Sequence, residues 1–168
     1  QFRVPEGFQA ISDVYTFPDI TFSDILRLEM GNRVIEIISA PSETDDSVAV
    51  WLPEERALYA GPAFINACPN PGTPFRIMRD PVRWADTLDK LLGLRPVFLI
   101  PPNGKGIEGE EKIHEMLSTT AEALRYIREE TVKRMNAGMT DVEILHDITF
   151  PEKLFGLPWM KPIYGCPD

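Results

Sequence analysis

Between residues 20 and 60, apolar and polar side chains alternate over four short runs rich in β-branched residues, at 20–28, 33–38, 48–52 and 57–59. A period of two is the period of a strand with one face buried, so these runs predict four strands. Gly31-Asn32 is a turn signal that joins the first two as a hairpin, and Pro53-Glu54-Glu55-Arg56 is a tight polar turn joining the last two. Between the hairpins, Pro41 and the small polar residues up to Asp46 interrupt the ladder. Pro62, Pro69, Pro71 and Pro74, with Gly61 and Gly72, then forbid regular structure over 61–79.

The second half of the chain changes period. Asp80-Pro81 supplies an N-cap followed by proline at the first helical position, and Val82, Ala85, Leu88, Leu91 and Leu92 follow at helical spacing. Residues 97–100 form a short buried strand, ended by Pro101-Pro102-Asn103-Gly104. From Glu110 to Asn136, Ile113, Leu117, Ala121, Leu124, Ile127 and Thr131 recur at steps of three and four, which predicts a long amphipathic helix stopped by Gly138. Thr140 and Glu143 have the spacing of a capping box that opens a short helix ending near Asp147. The proline-rich tail after Phe150 is expected to be extended and to depend on packing against something else.

At 168 residues with 43% hydrophobic content, the chain is long enough to bury an ordinary core. The 26 acidic residues outnumber 17 basic ones, for a formal charge of −9. Such a balance repels phosphate backbones and anionic headgroups, so neither nucleic acid nor an anionic membrane surface is an expected partner. The densest basic group, Arg125, Arg128, Lys133 and Arg134, is interleaved with Glu129 and Glu130 and reads as a solvated helix face. No apolar run reaches the roughly 20 residues of a membrane span. Cys68 and Cys166 have no partner at metal-ligand spacing; they pair in an oxidising compartment or remain two thiols, and the spacing does not decide between these. A chain that starts at Gln1 rather than Met reads as an excerpt or a processed product.

Several segments together carry a resemblance. Pro41-Ser42-Glu43-Thr44-Asp45-Asp46 and the run from Val50-Trp51-Leu52 to Tyr59-Ala60-Gly61 resemble the second half of the metallo-β-lactamase fold in alkyl sulfatases. Gly72-Thr73-Pro74-Phe75-Arg76, with the following helix of Trp84, Leu88 and Leu91, is similar to the family's segment after its metal site. Tyr126-Ile127-Arg128-Glu129-Glu130-Thr131-Val132 and Met135-Asn136-Ala137-Gly138 resemble its long helix and that helix's stop. Leu157-Pro158-Trp159 and Tyr164-Gly165 resemble the connection into its dimerisation domain.

The resemblance implies an α/β fold: half of an αββα sandwich with a long C-terminal amphipathic helix. It divides the chain into a β-rich half over 1–106, a helical extension over 107–148 and a connector over 149–168. Half a sandwich leaves a sheet face uncovered, so the missing N-terminal half or a partner chain is expected to cover it, and a homo-oligomer is expected. A secreted or periplasmic location is the corresponding expectation.

For activity, the resemblance implies hydrolysis of alkyl sulfate esters by a water bound between two zinc ions, whose pKa the metal brings to roughly 7. Glu43 falls where the family places its first metal-binding glutamate. Nineteen positions later, where the family has a bridging carboxylate, stands Pro62. At the position of a metal-binding histidine stands Asn103, and an amide is a far poorer zinc ligand than imidazole. The family's His-x-His-x-Asp-His cluster is absent from this chain, whose histidines are His114 and His146; both read as exposed or helix-terminal. In place of the family's sulfate-holding arginine stands Pro71. Arg76 and Arg79 are the nearby candidates for substrate binding, weighed against surface arginines that pair with Asp80 or solvent. Asn66 is a third substrate-binding candidate, and Glu108 or Asn66 is the first substitute for a lost ligand. Asp45 and Asp46 cap turns or, with Glu43, hold a hard cation. The reading that follows is a segment with no zinc or one zinc, non-catalytic, with a binding or structural role. The alternative is part of a two-zinc hydrolase whose histidine cluster lies upstream of Gln1.

Overall fold

The computed structural model describes residues 17–72 and 77–163. Arg76, Cys166 and Tyr164-Gly165 lie outside the described residues. Six strands form one mixed sheet in chain order: β1 (Ile25–Met30), β2 (Arg33–Ser39), β3 (Val48–Leu52), β4 (Ala57–Tyr59), β5 (Phe98–Ile100) and β6 (Ile107–Glu108). All neighbours are antiparallel except β4 and β5. A parallel step needs a long crossover, and here it contains the helix α1 (Pro81–Leu92). Gly31, at a φ of 66°, makes the β1–β2 turn.

The helices begin as the sequence predicts. The Asp80 carboxylate accepts hydrogen bonds from the Val82 and Arg83 amides at 2.9 and 3.2 Å, which caps α1. One face of α1 buries Trp84, Ala85, Leu88 and Leu91, and the Trp84 indole donates to the Ala63 carbonyl at 2.8 Å. The long helix α2 (Glu110–Asn136) packs Ile113, Met116, Leu117, Ala121 and Leu124 into the same core. Past Leu124 no α2 residue is fully buried. There α2 carries the short helix α3 (Asp141–Asp147), whose capping box is formed in both directions between Thr140 and Glu143.

Two details add to the sequence reading. Ile107 pairs with Leu99 and points into the core, so β6 and the first half of α2 share one core with the preceding strands. The tail is also more ordered than its prolines suggest. Pro151 opens a one-turn helix α4 (Glu152–Phe155), and Leu154 and Met160 bury themselves with Cys68 and Ala123 against α2. The Phe155 ring meets those of Tyr126 and Phe150 edge to face. The apolar side chains of the tail, more than its backbone preference, decide this conformation.

The register sorts the sheet into two unlike faces. Ile38, Ala49, Trp51, Leu58, Leu99 and Ile107 point toward α1 and α2 and are buried. The opposite face carries Leu26, Leu28, Ile35, Ile37, Val50, Leu52 and Ile100, half-buried, beside exposed Met30, Val48, Tyr59 and Phe98. It is as apolar as the core face, yet among the described residues no helix covers it. Helices thus cover one side of one sheet, which is half of a four-layer αββα arrangement.

Candidate ligand cavity

Strands β2, β4 and β5 run in the same direction, so their C-terminal ends meet at one edge of the sheet. The loops leaving that edge carry Glu43 after β2, Pro62 after β4 and Asn103 after β5. They wall a cavity of 620 Å³ whose lining also includes Ile65, Asn66, Ala67, Pro102, Gly104 and Ile163. Four residues nominated from the sequence, Glu43, Pro62, Asn66 and Asn103, therefore share one site. Glu108 does not line it.

Local backbone chemistry fixes each wall. The Glu43 loop is closed by the Ala40 amide donating to the Ser47 carbonyl at 2.8 Å and by a 2.9 Å contact between the Thr44 and Ser47 hydroxyls. Gly61 has a φ of 55°, and a Cβ there would stand 2.3 Å from the Val48 carbonyl oxygen; only glycine lets the chain turn so tightly into Pro62. Asn66, also left-handed at 55°, lies against Gly104, where an added Cβ would be 3.5 Å from the Asn66 amide nitrogen. A non-glycine residue held in this conformation marks a turn that surrounding contacts determine.

Arg79 sits behind the wall rather than in it. It is buried, its Nε donates to the Glu43 carbonyl at 3.2 Å, and its Nη1 donates to the Asn70 carbonyl at 2.5 Å. Nη1 is also 3.4 Å from the Glu43 carboxylate. Thus Arg79 pairs with Glu43, whereas Asp80 is engaged in capping α1. A neighbouring recess of 520 Å³ lies on the Arg79 side, between residues 42–46 and Ile77 and Met78. There Asp45 pairs with Arg83 at 2.6 Å, and the buried Ser42 hydroxyl has no hydrogen-bond partner among the described residues.

The donor set does not fit a pair of zinc ions. The cavity lining offers one carboxylate and two amides, whereas zinc takes imidazole, thiolate and carboxylate donors. Among the described residues no group of three or more His, Cys, Asp or Glu side chains converges on a possible metal. His114 and His146 are exposed on α2 and α3. Sequence reasoning missed the apolar lining by Ile65, Ala67, Pro102 and Ile163, which carry no motif and become neighbours only when three loops and the tail converge.

Comparison with known proteins places this arrangement. No protein-family model matches the chain. A linear primary-alkylsulfatase of Pseudomonas sp. (strain ATCC 19151) is 32% identical over 160 residues, which is 92% of this chain and 30% of that protein. This chain is alkylsulfatase-like. A second linear primary-alkylsulfatase from Pseudomonas sp. is 27% identical over 71% of the chain and 18% of its own length. Among solved structures, the stereoselective inverting sec-alkylsulfatase Pisa1 from Pseudomonas sp. superposes on the alkylsulfatase-like chain with a TM-score of 0.81 at 21% identity, covering 90% of this chain and 25% of that one. A metallo-beta-lactamase family protein from Thermus thermophilus gives a TM-score of 0.52 at 22% identity, over 67% of this chain and 37% of its own. The fold is that of the metallo-β-lactamases. The alkylsulfatase-like chain spans less than a third of the length of the linear primary-alkylsulfatases it matches.

Proposed function

We propose that this alkylsulfatase-like segment is metal-depleted and non-catalytic, and serves as a binding or structural element. One observation carries the reading: Pro62 and Asn103 stand beside Glu43 in the same cavity. A ring nitrogen locked in a peptide bond and a neutral amide replace the donors that a two-metal centre would need there. The sheet face left without a helix among the described residues supports a second part of the proposal, that the rest of the protein or a partner chain packs on it.

Metal analysis of the native protein tests the first part. The expected result is far less than one zinc per chain; about two per chain, together with dodecyl sulfate hydrolysis that a chelator abolishes, would establish the two-zinc hydrolase instead.

A further inference from the structure

We propose that the cavity at the C-terminal strand edge binds an amphiphile with an apolar chain and an uncharged hydrogen-bonding head, such as a hydroxyl or an amide, and discriminates against the sulfate ester of the same chain. This rests on the non-catalytic reading above and adds to it the class of ligand.

The cavity is an ordinary small-molecule site in size: 620 Å³, within the roughly 300–1,000 Å³ such sites occupy. Pro62, Ile65, Pro102 and Ile163 give it an apolar lining suited to a hydrocarbon chain. An anionic head needs a cation with free donors, because the desolvated charge must be paired. Among the described residues no cationic side chain lines the cavity. Arg79, behind the wall, has its side chain only 5% exposed, directs Nε and Nη1 to the Glu43 and Asn70 carbonyls, and lines the neighbouring recess instead of this cavity. The one charge in the lining is the Glu43 carboxylate, which repels an anion. A cationic head gains little in return, since Arg79 already offsets that carboxylate from behind at 3.4 Å. An uncharged head suits what remains: Glu43 accepts a hydrogen bond, and the side-chain amides of Asn66 and Asn103 both donate and accept.

Calorimetric titration of the native protein with three probes of equal chain length tests this: 1-decanol below its solubility limit, and decyl sulfate and decyltrimethylammonium below their micelle concentrations. Decanol is expected to bind at least about tenfold more tightly than decyl sulfate, a difference near 1.4 kcal/mol. Glu43→Gln should narrow the gap by strengthening decyl sulfate binding, Asn103→Leu should weaken decanol by roughly tenfold, and Thr140→Ala, outside the cavity lining, should change neither. Decyl sulfate or the ammonium probe binding as tightly as decanol overturns the proposal, and so does the absence of decanol binding. Two zinc ions per chain would sink the non-catalytic reading whatever decanol does; a metal-free protein that ignores decanol sinks this inference alone.

Discussion

Arg79 shows how one side chain can be nominated for one role and serve another. As an arginine near an expected anion site it reads as a substrate contact, but burial of its side chain commits it to the protein: two carbonyls and a carboxylate surround a guanidinium that is 5% exposed. It ties the Glu43 loop to the chain at Asn70. Removing it leaves buried acceptors without a donor, so Arg79→Met is expected to lower stability by about 3 kcal/mol in urea unfolding. Glu43→Gln keeps both carbonyl bonds and should cost about 1 kcal/mol or less. Equal losses in the two variants would show that the carboxylate, not the carbonyl pair, is the anchor. Gly61 makes a second residue-level case. A Cβ at 2.3 Å from a backbone oxygen cannot be accommodated without moving β3, so Gly61→Ala should destabilise by roughly 2 kcal/mol or more by thermal denaturation.

Among the elements, α2 is held at both ends by groups that its helical period does not announce. Its first residue, Glu110, receives hydrogen bonds from Arg56 at 2.7 Å and Arg95 at 2.8 Å, and Arg56 also donates to the Arg95 carbonyl. Both arginines occupy the left-handed region, at 49° and 55°, at the turns entering β4 and β5. The hydrogen bonds from Arg56 first, then Arg95, hold the Glu110 carboxyl below the usual carboxylate range. With the folded pKa depressed, the unfolded chain binds the proton first on acidification. The contribution of Glu110 is therefore complete above the ordinary carboxylate pKa and fades as pH falls through the lowered folded value. A melting-temperature profile from about pH 6 to 3 should accordingly fall less steeply in Glu110→Gln than in the parent. An unchanged slope would remove Glu110 from the account. At the other end, Arg134 bridges Glu130 and Asp147 and so couples α2 to α3. The Thr140–Glu143 capping box starts α3, and Thr140→Ala should cost about 1 kcal/mol, read as lost helicity or a lower melting point.

For the molecule as a whole, the sheet face that no helix covers among the described residues dominates the physics. Apolar area left in water costs roughly 25 cal/mol per Å², and a contiguous face of Leu, Ile, Val, Tyr and Phe marks an interface. Purified by itself, the chain is expected to self-associate, and Leu28→Lys with Val50→Lys should shift it toward monomer in light scattering. A chain that is monomeric without those changes would refute an exposed face. Much of this architecture was legible in advance, because strands and helices announce themselves by local periods. The runs at 48–52 and 57–59, the Asp80 cap, the reach of α2 and the capping box all depend on residues within one or two turns of each other. Glu43, Pro62 and Asn103 were also legible as positions, through the resemblance of their flanking segments. What lay beyond the sequence was their meeting at one strand edge, the commitment of Arg79 to Glu43 and Asn70, the Glu110 clamp and the docking of the tail on α2. Each of these joins residues distant along the chain, and only burial and the pairing of desolvated polar groups in the folded state select such partners.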